Sequence, residues 1–342
     1  MLTSDKNPPA LQRFLVIQTA SIGDVILATA VIEKLHNRFP GAAIDFMTKK
    51  GNEALFKGHP YLDKLLIWDK SKQKYRNLAR LLQQVRQTRY DYLINLQRFA
   101  ATGLFTLLSK ADHTSGFDKN PFSRWFTYRA VHRISIKDNM HETGRNQALI
   151  SPFTDAVPAR PRLYPSADDY KTVDIYKTKA YLCIAPASLW FTKQLPEYQW
   201  ISLIRAIPRE FRIVLLGSQP DHALCERIMK ESGSERCLNL AGRLTLLQSA
   251  ALMQDAVMNY VNDSSPMHLA SSVNARTTAV FCSTVPQFGF GPLSDNAIVI
   301  ESAKKLSCRP CGLHGHRECP EKHFECATAI TTQQLLSPLN YE

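Results

Sequence analysis

The sequence has no uninterrupted apolar run near the roughly 20 residues that a membrane-crossing helix needs, although 44% of its 342 residues are apolar. The opening MLTSDKNPPALQRF lacks the basic-then-apolar pattern of a secretory leader. The expectation is a cytoplasmic protein. Neither G-x-G-x-x-G nor G-x-x-x-x-G-K-[ST] occurs, so a dinucleotide fingerprint and a P-loop are both excluded. No internal repeat or low-complexity tract is present. No RNA-module signature or aromatic-interleaved basic run accompanies the positive charge, which argues against a nucleic-acid partner.

A chain of this length exceeds one ordinary hydrophobic core, and two domains are expected. The formal charge is +12 and unevenly placed. Residues 1–170 hold 25 Lys and Arg against 15 Asp and Glu, whereas residues 171–342 hold 17 against 15. A basic first half implies an anionic partner or simply a solvated basic surface. Eight cysteines suit a disulfide framework only in a small secreted chain, and four of them crowd into 308–326.

Short β-branched or aromatic runs alternate with longer amphipathic ones. FLVIQ precedes a helix expected from about 24 to 38. AIDFMT and KLLIWD follow, then RNLARLLQQVRQT at helical spacing and the strand YDYLINL. Such alternation means a parallel sheet covered on both faces. Residues 151–175 interrupt it with four prolines and read as a linker. Alternation resumes with KAYLCIAP, EYQWISLIRAI, FRIVLLG, a helix near 220–231, TLLQSAALMQD, AVMNYV, a helix opening near NDSSPMHLASSV, and RTTAVFC. Two doubly wound units imply a cleft, with ligands beyond the carboxyl ends of the strands.

Three loops carry candidate chemistry. In TASIGDV, Gly23 permits a tight turn, and Ser21-x-x-Asp24 fits a helix capping box. A carboxylate at that strand end also suits proton abstraction from a hydroxyl. In APASLWFTKQLP, Ser188 and Lys193 offer a phosphate site, or Lys193 is a solvated lysine. In YVNDSSPMHLASSV, Asp263, Ser264 and Ser265 precede a helix carrying His268. They are either an N-cap and a core histidine, or an anion site.

Together with STVPQFGFGP at 283–292 and CRPCGLHGHRECPEKHFECATAI at 308–330, these pieces resemble glycosyltransferase family 9, the ADP-heptose:lipopolysaccharide heptosyltransferases. The resemblance spans nearly the whole chain. It implies an α/β GT-B fold, two Rossmann-like doubly wound parallel-sheet domains facing a cleft. The domains are expected at 1–160 (acceptor) and 176–327 (nucleotide sugar), joined by a linker at 161–175. A C-terminal helix in 328–342 is expected to pack back on the first domain.

The same resemblance implies inverting, metal-independent transfer of heptose from ADP-heptose to an anionic lipid-anchored saccharide, with peripheral contact at the inner membrane face. Asp24 matches the general base. Ser188, Lys193, Asp263, Ser264, Ser265 and His268 match donor-binding positions. Under this reading Lys49, Lys50, Arg98, His141 and Arg145 are acceptor contacts, chosen because they follow strand ends or lie in NMHETGRNQALI. Another nucleotide sugar on the same fold, and a non-catalytic anion-binding protein, are the rival readings. Two motifs depart from the family pattern: Ser265 replaces a glycine, and Gln194-Leu195 replaces Arg or His followed by Trp.

The cysteines Cys308, Cys311, Cys319 and Cys326 are spaced C-x2-C-x7-C-x6-C. Four thiolates so close suit a structural all-cysteine zinc site. An iron-sulfur site, two disulfides or reduced thiols are the alternatives. No cofactor is expected to be required for transfer.

Overall fold

The computed structural model describes residues 12–340. The chain forms two compact units, one from the described residues through Arg133 with Glu142–Arg162, the other from Ile134–His141 with the described residues from Leu163 onward.

In the first unit, β1 (Arg13–Ile17), α1 (Ile22–Arg38), β2 (Ala43–Lys49), β3 (Lys64–Trp68), α2 (Lys74–Thr88), β4 (Tyr92–Asn95), α3 (Ala100–Leu108), β5 (His113–Phe117), β6 (Tyr128–Ala130) and α4 (Glu142–Ala148) follow in order. All pairings are parallel, in the order β3-β2-β1-β4-β5-β6. Strands buried on both faces read as continuous apolar runs, as FLVI does. Alternate residues serve opposite faces: Leu15 and Ile17, with Met47, Leu66, Trp68 and Leu93, meet Leu78, Leu81, Leu82 and Val85 of α2 and Phe105 of α3.

The second unit contains α5 (Ala167–Val173), β7 (Tyr181–Ala185), α6 (Glu197–Ala206), β8 (Arg212–Leu215), α7 (His222–Ser232), β9 (Cys237–Asn239) and α8 (Leu246–Gln254). It continues with β10 (Met258–Asn262), α9 (Ser265–Ser272), β11 (Thr277–Phe281), β12 (Ala297–Glu301), α10 (Glu325–Thr328) and α11 (Thr332–Leu336). Its parallel sheet runs β12-β11-β10-β7-β8-β9, which is the topology of the first. In each sheet the strand order reverses beside the unit's first strand, between β1 and β4 and between β7 and β10. Ligands of doubly wound sheets bind beyond the carboxyl ends of strands at that switch point.

Three expectations change. The linker segment 161–175 holds α5, because Ser166 and Asp169 close a capping box: Asp169 N–H donates to Ser166 Oγ at 3.2 Å, and Ser166 N–H donates to the Asp169 carboxylate at 2.8 Å. The prolines end at Pro165, just before it. The C-terminal helix joins the second unit, with Leu335 buried in that unit's core and its carbonyl accepting from Tyr260 Oη at 2.9 Å. Gly23 makes no turn, since it lies in the first turn of α1 and the chain enters through extended Ser21.

Candidate active site

Asp24 is the third residue of α1, at the mouth of β1. Its Oδ2 accepts the Ser21 N–H at 3.2 Å and the Ser21 hydroxyl at 2.5 Å, so the carboxylate closes a capping box. The helix start therefore fixes where this carboxylate stands. Its charge reaches a buried ion pair nearby. Glu142 Oε2 accepts from Arg145 Nε at 2.7 Å in a buried pair. Burial pushes the Glu142 carboxyl above the usual range, Arg145 opposes that, and Asp24 adds to it. Burial together with Arg98 and Arg145 pushes His132 down to about 4.

Lys49 ends β2, and exposed Lys50 pairs with Asp69 at 3.0 Å. Arg98 is exposed after β4. Arg145 is not a surface cation: it is 1% exposed and paired with Glu142. His141 also leaves the acceptor group. It precedes α4, belongs to the second unit, and its Nε2 donates to the Gly291 carbonyl at 3.1 Å. The sequence reading missed Lys70, whose Nζ donates to Thr19 O at 2.8 Å and Thr19 Oγ1 at 3.0 Å in the loop leading to Asp24. Burial, Lys49 and Lys74 lower Lys70 to about 8. A single lysine after KLLIWD carries no signal of this; only the parallel β1-β2-β3 order brings it there.

At the other switch point, Lys193 ends a short 3-10 turn after β7, and Asp263 follows β10. Lys193 Nζ lies 2.6 Å from Asp263 Oδ2, with the side chains 15% and 7% exposed. Thr284 Oγ1 donates to the same oxygen at 2.5 Å. The ammonium has three donors, and this pair uses one. Asn262 ties the two loops together: its Oδ1 accepts from Leu195 N–H at 3.0 Å and its Nδ2 donates to Pro186 O at 2.7 Å. The Gln194 amide donates to Ser188 O at 2.6 Å, so this departure from the family pattern braces the loop from within.

Ser264 is the N-cap of α9, with Ser265 the first helical residue and Pro266 next. Ser265 adopts a right-handed helical conformation that needs no glycine. The positive dipole end of α9 stands at the strand mouth, although Pro266 carries no N–H and the Met267 N–H donates to Ser264 O at 3.0 Å. His268, one turn on, is buried, and its Nδ1 has no hydrogen-bond partner among the described residues. Burial, His141 and Lys193 hold it neutral, down to about 3.

The cysteine segment is woven into the same loops. His316 N–H donates to Thr192 Oγ1 at 2.7 Å, Thr192 N–H to His316 O at 3.1 Å, and Cys311 N–H to Ser283 O at 2.8 Å. Arg309 donates to the carbonyls of Cys282 and Thr284. All eight cysteines are free thiols. Burial pushes the Cys326 thiol up to about 11, Cys311, Cys319 and Cys308 add to that, and Arg309 opposes it. Among the described residues, no three His, Cys, Asp or Glu side chains converge tightly enough to hold a metal ion.

A cleft of about 610 Å³ lined by Tyr176, Lys179, Arg209 and Arg212 lies at the opposite, amino-terminal edge of this sheet. That is the wrong end for a nucleotide in a doubly wound sheet.

The sequence profile of glycosyltransferase family 9 (heptosyltransferase) matches residues 78–324. Lipooligosaccharide heptosyltransferase 2 of Haemophilus influenzae is 25% identical over 307 residues, covering 84% of this chain and 87% of that protein. Among solved structures, the family 9 glycosyl transferase of Veillonella parvula superposes with a TM-score of 0.83 at 19% identity, covering 97% of this chain and 98% of the other. The E. coli ADP-heptose lps heptosyltransferase II superposes at 0.76 with 21% identity, covering 96% and 98%. These superpositions give the GT-B fold class. With the match over most of its length, the chain belongs to glycosyltransferase family 9, the heptosyltransferases.

Proposed function

We propose that the protein transfers heptose from ADP-heptose to an anionic, lipid-anchored lipopolysaccharide core saccharide, with inversion at the anomeric carbon. The acceptor oxygen attacks that carbon, the bond to the diphosphate breaks, ADP departs, and Asp24 takes the acceptor's proton. Lys193 and the α9 amides neutralise the charge that develops on the departing diphosphate. The observation that carries this reading is the Lys193–Asp263 pair at the mouth of α9, beside the unpartnered ring nitrogen of buried His268. It sets an ammonium with two donors to spare beside a helix start at a switch point, where a diphosphate would compete with Asp263 for the lysine. Ser188, Ser264 and Ser265 complete the donor loops. Lys49, Lys50, Arg98 and Lys70 are the acceptor-side cations that remain.

Transfer needs no metal under this reading. A separate structural role is proposed for Cys308, Cys311, Cys319 and Cys326. Their four sulfurs are the donor set that zinc prefers, and binding would require them to draw closer together than they stand in this structure. The protein acts in the cytoplasm, in peripheral contact with the inner face of the membrane that holds its acceptor. Among the described residues, no helix is long and apolar enough to cross a membrane.

The test is transfer and donor hydrolysis with a panel of nucleotide sugars, in EDTA. Turnover of ADP-heptose above the others supports the reading. Preference for another donor keeps the fold and changes the sugar. ADP binding with no turnover of any donor would leave an anion-binding protein.

A further inference from the structure

Helix α3 is inside out. Its buried face carries Thr102, Gly103 and Thr106 beside Phe105, while Leu104, Leu107 and Leu108 are 43%, 38% and 38% exposed. Those leucines stand at i, i+3 and i+4, on one side of the helix. Phe99, at the N-cap, is 63% exposed. The buried threonines are satisfied: Thr106 Oγ1 donates to Thr102 O at 2.8 Å and accepts from Asn95 Nδ2 at 2.9 Å. The orientation is fixed by close packing, because a Cβ at Gly103 would meet Asn120 Oδ1 at 2.0 Å. The leucines are held outward.

The neighbouring helix supplies charge of one sign. From Lys70 to Arg89 the chain carries seven Lys and Arg and no Asp or Glu. On α2, which packs on the same face of the sheet as α3, Arg76, Arg80 and Arg86 are exposed. Arg86 Nε donates to Leu108 O at 2.7 Å, so a guanidinium borders the apolar stripe.

We propose that this α2–α3 face docks on an anionic phospholipid bilayer, with the leucines and Phe99 at the acyl boundary and the α2 arginines on the headgroup phosphates. The proposal deepens the membrane contact inferred above and rests on that reading. An apolar stripe beside a one-signed basic helix is the pattern of an interfacial element. A second copy of the chain is a poor occupant, since a two-fold interface would set the acid-free α2 of one copy against the same face of the other.

Sedimentation with vesicles tests it, using the full-length protein. Vesicles of phosphatidylglycerol and phosphatidylcholine should carry the protein down, and pure phosphatidylcholine vesicles should not. The triple change Leu104→Ser, Leu107→Ser, Leu108→Ser should lower binding about tenfold or more at unchanged melting temperature. Arg76→Gln with Arg80→Gln should do so by about tenfold, and carries the test if the triple variant fails to fold. ADP affinity, read separately by calorimetry, should be unchanged in both, so failure of the donor reading is distinguishable from failure of docking. A parent that ignores anionic vesicles, or variants that bind them equally, overturns the proposal. So does a parent that is dimeric by light scattering and becomes monomeric in the serine variant.

Discussion

At Lys193 the local sequence allows a phosphate ligand but reads first as an ordinary solvated lysine. In the structure the ammonium is 15% exposed and paired with Asp263, so it is not a fully solvated side chain. Lys193→Ala should weaken ADP binding by about 1.5–3 kcal/mol, the range for a hydrogen bond to a charged group. It also leaves Asp263 buried against incoming phosphate, which pushes in the same direction. Calorimetry on parent and variant checks this, and equal affinities would remove Lys193 from the site. Asp24 was legible as a cap from Ser21-x-x-Asp24, and the cap is there. Arg145 was misjudged because a basic residue in a polar helix reads as surface; its burial depends on Glu142 three residues earlier, an i,i+3 pair the sequence shows but does not rank. Lys70 needed strand order to be seen.

Among the elements, the alternation of strands and helices was readable because both sheets are parallel and their strands are buried on both faces. α5 was hidden by the prolines before it, although its Ser166-x-x-Asp169 box repeats the signal at Ser21. The inverted polarity of α3 was not legible at all, since AATGLFTLL is apolar enough to pass for a buried helix. The cysteine segment shows what spacing omits, for it is stitched to the Lys193 loop by backbone bonds. Gly315 sits at φ 75°, where a Cβ would lie 2.9 Å from Thr192 Oγ1 and 3.1 Å from Lys193 Cγ. Gly315→Ala should therefore displace the Lys193 loop and weaken ADP binding, with a smaller effect on melting temperature; unchanged affinity would show the two segments to be independent. If zinc is bound, protein purified without added metal should contain about one equivalent. Cys311→Ser should lose it, with a fall in melting temperature. Neither zinc nor iron by elemental analysis would leave reduced thiols.

At the scale of the whole molecule, three histidines among the described residues are buried neutral: His268 is pushed down to about 3, and His59 and His132 to about 4, each chiefly by burial. In the unfolded chain they protonate near 6.5, so below that pH the unfolded state binds more protons than the folded one. Their contribution to stability is present above about 6.5 and is lost as the pH falls toward 4. Glu142 and Asp45, raised by burial, act in the opposite sense, so the test is a difference. Between pH 7 and 5 the parent should lose more melting temperature than His132→Gln, and equal losses would contradict the assignment. The uneven charge was legible as a count, but its use was not, because the count does not say that acid-free α2 borders an apolar stripe.

The account turns on Asp24 acting as a base as well as a cap. A cap needs only a side-chain acceptor, which asparagine supplies, whereas a base needs a carboxylate that takes a proton. The deciding measurement is the turnover of Asp24→Asn with ADP-heptose, at matched melting temperature and ADP affinity. The account predicts a loss of about 10² to 10⁴ in turnover, the range for removing a positioned general base. Transfer at near the parent rate would make Asp24 a cap alone and contradict the mechanism.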